Sequence, residues 1–65
     1  MNSIGPVIAK YRKQKHLTQP ELVALLHKEG IDITDKALSS WEINRTEPSA
    51  RQFLILCKVL GIQYI

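Results

Sequence analysis

Polar side chains recur between Thr34 and Asn44 at the spacing of one helix face. Thr34 is a favoured N-cap residue and Asn44 tolerates the left-handed conformation in which helices end, so the segment predicts a helix over about 34–44. At about 100° per residue, its outer side carries Lys36, Ser39, Ser40 and Ile43, with Asp35 on its flank. Ammonium, hydroxyl and carboxylate groups can form hydrogen bonds with base edges. We interpret this side as a face that enters the major groove of duplex DNA.

The opposite side of the same helix is apolar. Ala37, Leu38 and Trp41 lie there together, beside the aliphatic part of Glu42. A short helix with one apolar side and one polar side is expected to pack on a hydrophobic core and to contact a partner with its polar side. The rest of the chain must therefore supply the core and leave the polar side free.

Two helices are predicted before this segment. The first should begin between Ser3 and Pro6, because proline suits only the first turn of a helix. The second should begin at a capping box formed by Thr18 and Glu21 and end at Gly30. The core-facing positions of the first helix are expected to be Ile4, Val7, Ile8 and Tyr11.

A connection and a fourth helix complete the expected fold. Ile31 and Ile33 should point inward and make the 30–34 connection extended. Pro48, followed by Ser49, predicts the start of a helix that ends at Gly61. Its inward stripe is expected to contain Phe53, Leu56, Cys57 and Leu60. The apolar residues beside or outside that stripe are Leu54, Ile55 and Val59, and they suggest a surface for a partner.

Composition limits the class of protein. Sixty-five residues form one small domain, 1–65, and the single cysteine excludes an intrachain disulfide, so helix packing must hold the fold. Nine Lys and Arg residues against six Asp and Glu residues give a net charge of +3, which is compatible with nucleic acid. We expect a cytoplasmic setting, with no membrane span and no signal peptide.

The sequence offers little for catalysis or metal binding. His16, His27 and Cys57 lack the close spacing of a metal site. Ser39 and Ser40 have no His-plus-acid arrangement that the sequence places nearby, and no Gly-rich phosphate loop occurs. We therefore expect no enzymatic activity, no cofactor, no metal and no small-molecule ligand.

Four short motifs appear in order along the chain, namely Thr18-Gln19, Glu21-Leu22, Ser39-x-Trp41-Glu42 and x-Pro48-Ser49. Together they resemble the phage-repressor (Cro/repressor-like, xenobiotic-response-element) helix-turn-helix family, over about Ile4 to Ile62. The resemblance implies a compact all-α bundle of four to five short helices of the lambda-repressor-like type, in which helices 2 and 3 form the helix-turn-helix. It also implies a transcriptional regulator that binds double-stranded DNA sequence-specifically, as a homodimer at least when bound.

The resemblance also suggests roles for individual residues. Carried over by position, the base-reading candidates are Lys36, Ser40, Asp35 and Ser39, and an idle surface hydroxyl stays open as the alternative for each serine. The phosphate-contacting candidates are Gln19, Arg45, Thr34 and Asn44. Arg12 and Glu42 correspond to an ion pair between the first helix and the end of the recognition helix.

Several departures from the family pattern leave a second interpretation open. The 30–34 connection is longer than the family's usual turn, Val23 replaces the usual alanine, and the family's fifth helix is missing, which suggests a domain cut from a longer protein. Asp35, Glu47 and Ile43 suit a helix-turn-helix used as a protein-interaction module, such as an antitoxin or antagonist subunit without specific DNA binding. The hydrogen-bond donors at the candidate DNA contacts argue against that alternative; they are Lys36, Arg45 and Gln19.

Overall fold

The computed structural model describes residues 4–63 of the chain. Over this range the chain forms helices α1 (Ile4–Gln14), α2 (Gln19–Lys28), α3 (Asp35–Glu42) and α4 (Ala50–Leu60), and no strand occurs among these residues. Both α1 and α2 pack against α3 and α4. The predicted all-α bundle is confirmed. None of the helices found between residues 4 and 63 has the length and apolar character needed to cross a membrane.

Side-chain caps determine where the helices begin. The hydroxyl of Thr18 accepts a hydrogen bond from the backbone N–H of Glu21 at 3.2 Å, and the Glu21 carboxylate accepts from the Thr18 N–H at 2.7 Å. The predicted capping box is therefore confirmed. Thr34 caps α3 in a similar way, because its hydroxyl accepts from the N–H of Ala37 at 3.1 Å.

The start of α4 differs from the sequence prediction. Ser49, not Pro48, determines it: the Ser49 hydroxyl accepts from the Gln52 N–H at 3.2 Å, and Gln52 accepts from the Ser49 N–H at 2.8 Å. Pro48 precedes the N-cap and lies outside the helix. The free N–H groups of a first turn need acceptors, which a serine hydroxyl supplies and a proline ring does not.

The four helices described above end in the same way. A residue with positive φ follows each helix, at His16 (59°), Gly30 (87°), Asn44 (62°) and Gly61 (73°). The next N–H then bonds back to a carbonyl five residues earlier, in the pairs Leu17–Arg12, Ile31–Leu26, Arg45–Ser40 and Ile62–Cys57, at distances of 2.9 to 3.2 Å. This back-bonding is the signature of a Schellman motif. The predicted ends at Gly30, Asn44 and Gly61 are confirmed, whereas the left-handed conformation of His16 was not predicted.

The core lies where the four helices meet. Its fully buried side chains are Ile8, Leu22, Leu26, Leu38, Leu56 and Leu60. Trp41 is only 5% exposed and joins this cluster. Val23 is also buried, so the interior accommodates a valine where the family usually has alanine.

Helix α4 buries a wider side than the sequence suggested. Ile55 and Val59, expected at a partner surface, pack against the core, while Phe53 is only half-buried. The physical reason is that α4 contacts both α1 and α2, so two neighbours cover more of its circumference than one stripe. Leu54 does face outward and is 64% exposed.

The connection between α2 and α3 is extended and anchored to the body. Ile31 is buried and Ile33 packs against the core, which confirms the inward orientation predicted for both. His27 Nε2 lies 2.8 Å from the carbonyl oxygen of Ile33. Because a carbonyl oxygen only accepts, this ring nitrogen must be the donor.

Candidate functional site

The outer side of α3 brings the predicted base-reading residues onto one surface. Asp35 and Lys36 are exposed, and Ser39 and Ser40 are half-buried. On the inner side, Leu38 and Trp41 are buried against the other helices. Core packing therefore fixes α3 while its polar side chains remain accessible. The helix itself spans Asp35–Glu42, and the expected 34–44 segment also includes its N-cap Thr34, its C-cap Ile43 and the left-handed Asn44 that follows.

A network of charge-assisted hydrogen bonds joins α1, α2 and α3 near the end of the candidate recognition helix. Arg12 Nε lies 2.7 Å from Glu42 Oε2, and Arg12 Nη2 lies 3.1 Å from Glu42 Oε1. The two side chains are only 11% and 7% exposed. This fork geometry makes two parallel hydrogen bonds between guanidinium and carboxylate. The hydrogen bond to Glu42 raises the pKa of Arg12; burial opposes the shift, and the charge of Glu42 adds to it.

Arg12 makes a further contact that involves the turn after α1. Its Nη1 donates to the carbonyl oxygen of Leu17 at 2.8 Å. Leu17 lies between α1 and α2, directly before the Thr18 cap. One guanidinium therefore connects the end of α3 to the start of α2.

Gln19, a phosphate-contacting candidate, belongs to the same network. Its side-chain nitrogen donates to Glu42 Oε1 at 3.0 Å. A carboxamide nitrogen carries two hydrogens, so one donor of Gln19 is left for another acceptor. Gln19 is half-buried and is the first residue of α2.

Asn44 and Thr34, two further phosphate-contacting candidates, already use their side-chain oxygens within the protein. Asn44 Oδ1 accepts from the N–H of Gly5 at 3.1 Å, and the Thr34 hydroxyl accepts from Ala37. Each side chain also has a donor, the amide N–H₂ of Asn44 and the O–H of Thr34. Both residues are exposed, so these donors are the groups that a phosphate could reach.

Arg45, the cationic candidate, occupies a distinctive position. It follows the left-handed residue at the end of α3, and its N–H bonds to the Ser40 carbonyl at 2.9 Å. At the other three helix ends the equivalent residue is aliphatic and packs on the core, as Leu17, Ile31 and Ile62 do. Aliphatic residues commonly stabilise such ends by packing back on the helix. The exposed Arg45 stands where that packing residue would be.

Gly5 is a close-packing residue that the sequence analysis missed. It is buried, and a Cβ at this position would collide with the carbonyl oxygen of Trp41 and lie 2.8 Å from that of Glu42. The backbones of α1 and α3 can therefore approach closely only because residue 5 has no side chain. Glycine is disfavoured inside helices, so its presence in the Ile4–Gln14 helix was the available signal.

The described residues contain no cluster suited to a metal ion. Between residues 4 and 63, no group of three or more His, Cys, Asp or Glu side chains could hold one. His27 Nε2 lies 3.7 Å from Asp32 Oδ1, but the His27 side chain is about half exposed and that of Asp32 is fully exposed. Cys57 packs against the core, where burial raises the pKa of its thiol.

Comparison with known families agrees with this geometry. The family model described as helix-turn-helix, of the xenobiotic-response-element and lambda-repressor-like type, matches residues 8–64. The chain belongs to this helix-turn-helix family. The resemblance inferred from the sequence motifs is thereby confirmed, and the family is one of DNA-binding transcription regulators. Searches of curated proteins and of solved structures found no match to the chain.

Because the chain belongs to this family, the two helices of the motif can be identified in the structure. Helices α2 and α3 are its two helices, and residues 29–34 connect them. In such motifs the second helix is the one that lies in the major groove, while the first crosses the DNA backbone. In this helix-turn-helix domain that second helix is α3.

Proposed function

We propose that this helix-turn-helix domain binds duplex DNA sequence-specifically as a transcriptional regulator, with α3 in the major groove. The observation that carries the proposal is the division of α3 into two sides. Leu38 and Trp41 are buried, whereas Asp35 and Lys36 are exposed at the N-terminal end, which is the end that reads bases in this motif. A helix held from behind presents its donors in a fixed orientation, which lowers the entropy cost of binding.

The proposed base contacts follow from the chemistry of the outer side chains. Lys36 is a donor suited to O6 and N7 of guanine, and Asp35 is an acceptor suited to N4 of cytosine. Ser40 and Ser39 can donate or accept and so read several bases. Their short side chains would reach only bases that lie close to the helix, and both residues are half-buried.

The proposed phosphate contacts flank the two ends of α3. Arg45 and Asn44 stand after its last turn, Thr34 stands before its first turn, and Gln19 opens α2. Contacts of this kind fix the register of a protein on DNA without reading its sequence. Arg45 supplies the positive charge, and the other three supply neutral donors.

We further propose that the functional unit on DNA is a homodimer in the cytoplasm, with no enzymatic role. A symmetric dimer of this motif would bind two half-sites about one helical turn apart. Sedimentation of the domain alone and with a duplex carrying two half-sites measures the stoichiometry. Two chains per duplex are expected, and a single chain on a symmetric site would contradict the dimer.

The test of the main proposal is a binding-site selection from random duplex DNA, followed by titration of a fluorescently labelled duplex at low and moderate salt. An enriched motif is expected, with binding to it that survives a salt concentration at which random DNA is released. Equal affinity for every duplex, or no binding, would contradict sequence-specific recognition.

A second candidate function is that of a protein-interaction module. Ile43, beside the candidate base-reading residues, and Leu54 on α4 are each 64% exposed, and apolar side chains of this size are common in protein interfaces. Exposed acids at Asp35 and Glu47 would also oppose the approach of phosphates. Failure of the selection to enrich any motif would favour this alternative.

A further inference from the structure

We propose that Glu42 is a positioning residue for DNA binding, which orients the carboxamide of Gln19 so that its second N–H is available to a DNA phosphate. This inference rests on the proposed function and gives the Arg12–Glu42 ion pair a role beyond stability. The observation behind it is that three N–H donors bind the Glu42 carboxylate. The Glu42 oxygens accept from Arg12 Nε, Arg12 Nη2 and Gln19 Nε2 at 2.7, 3.1 and 3.0 Å.

The hydrogen bond to Glu42 removes most of the freedom of the Gln19 side chain. Glutamine loses a large rotamer entropy when it is held, and here part of that loss has already occurred in the free protein. The two hydrogens of a carboxamide nitrogen diverge in the plane of the group. With one hydrogen directed at the nearly buried Glu42, the other diverges from Glu42, and half-buried Gln19 keeps part of its surface open to solvent.

Arg12 makes this arrangement compatible with DNA. An unpaired carboxylate at this position would repel nearby phosphates, because the protein would shield its charge poorly. The guanidinium compensates that charge with two hydrogen bonds and also holds the Leu17 carbonyl before α2. Gln19 therefore presents a neutral donor to the phosphate. The Glu42 carboxylate sets the orientation of that donor, and Arg12 compensates the negative charge of Glu42.

A double-mutant cycle measured on DNA affinity tests the coupling. The variants are Glu42→Ala, Gln19→Met and the pair, at a temperature where circular dichroism shows each to be folded. Methionine keeps the length of Gln19 without a donor. Gln19→Met should weaken binding to all duplexes by on the order of 2- to 10-fold, because it removes one hydrogen bond to a phosphate. Glu42→Ala should weaken binding similarly when Gln19 is present and should add little when Met occupies position 19.

Two controls separate positioning from stability. Gln14→Met makes the same change at an exposed glutamine of α1 and should leave DNA affinity unchanged. Ile8→Val weakens the core without touching the network and should also leave the affinity of the folded protein unchanged. A Glu42→Ala effect of equal size with Gln19 and with Met at position 19 would overturn the inference while leaving the proposed function standing. Absence of DNA binding by the wild-type domain would overturn both.

Nuclear magnetic resonance relaxation of the wild-type domain provides a measurement that needs no variant to fold. The side-chain amide of Gln19 should have a high order parameter before DNA is added and should change little on binding. The exposed Gln14 should be mobile in both states. A Gln19 side chain as mobile as Gln14 in the free domain would overturn the proposed positioning.

Discussion

The backbone N–H of Gly5 donates a hydrogen bond to Oδ1 of Asn44, 3.1 Å away, so the first turn of α1 closes on the residue that ends α3. The N–H groups of a first turn have no partner within their own helix. Asn44 supplies one from 39 positions along the chain. It therefore ends α3 by its backbone conformation and caps α1 by its side chain.

We expect Gly5→Ala to destabilise the domain, although alanine is the better helix former. Alanine gains about 1 kcal/mol in helix propensity, but a Cβ here meets the backbone carbonyls of Trp41 and Glu42, which cannot rotate away. Overpacking of this kind costs about 1–3 kcal/mol, so we expect a net loss in the free energy of unfolding measured in urea. The reference is Ala24→Gly at an exposed position of α2, which reports the propensity alone. A more stable Gly5→Ala variant would show that α1 and α3 are not in close contact.

The Arg12–Glu42 pair should contribute to stability as a unit. Removing one partner leaves the other poorly solvated, at a cost of roughly 1–3 kcal/mol in the free energy of unfolding. Arg12→Ala and Glu42→Ala should each lower the melting temperature, and the double variant should lose less than the sum. Strict additivity would be inconsistent with the observed ion pair.

His16→Gly should stabilise the domain. A non-glycine residue in the left-handed conformation costs about 1–2 kcal/mol, and glycine avoids this cost. Glycine also has greater freedom in the unfolded chain, which offsets roughly 0.5–1 kcal/mol of that stabilisation. We expect the net stabilisation to appear as a higher urea midpoint for His16→Gly than for the wild type. Lys15→Gly, one residue earlier, should instead be destabilising, and a stabilising Lys15→Gly would remove the conformational explanation.

Stability should fall in mildly alkaline solution, partly through Cys57. Burial raises the pKa of its thiol, so the unfolded chain loses this proton at a lower pH than the folded chain does. The contribution of Cys57 is therefore complete below the unfolded thiol pKa and is lost as pH rises through the folded one. Urea unfolding of the wild type and Cys57→Ala from about pH 7 to about pH 10 isolates the effect. Parallel stability profiles for the two proteins would exclude it.

Lys36 and Arg45 should differ in how they affect DNA binding. Arg45→Ala should weaken binding to all duplexes about equally and lower the slope of log affinity against log salt by about one per half-site, because it removes one phosphate contact. Lys36→Ala should lose on the order of 1–3 kcal/mol per half-site on the preferred sequence and little on unrelated DNA. Binding-site selection with each variant, followed by salt titrations, makes the comparison. An unchanged selected motif for Lys36→Ala would refute base reading by this residue.

Local signals account for the parts of the fold that were predicted from sequence. The Thr18 and Glu21 cap and the glycine at position 30 act within a few residues, so their types and spacing were sufficient. The prediction for the start of α4 relied on Pro48 and not on Ser49, because both residue types mark helix starts. The left-handed His16 escaped prediction because histidine adopts this conformation only occasionally.

Long-range contacts account for what was missed. A glycine inside α1 is a local signal of a special position, but its approach to the carbonyls of α3 depends on how two distant helices cross. The burial of Ile55 and Val59 depends on α4 having two neighbours. At the candidate site, the pairing of Arg12 with Glu42 followed from the family resemblance, whereas the bond from Gln19 to Glu42 emerged only from the packing of α2 beside α3.

The repeated form of the helix ends has a consequence for how quickly the chain folds. Each end closes through hydrogen bonds that reach back no more than six residues, as between Ile31 and Leu26, and the caps of α2, α3 and α4 are equally local. The limits of these segments can therefore form before distant parts of the chain meet. The remaining step of folding is the docking of these short helices on one another. Proteins dominated by local contacts of this kind fold in roughly microseconds to milliseconds.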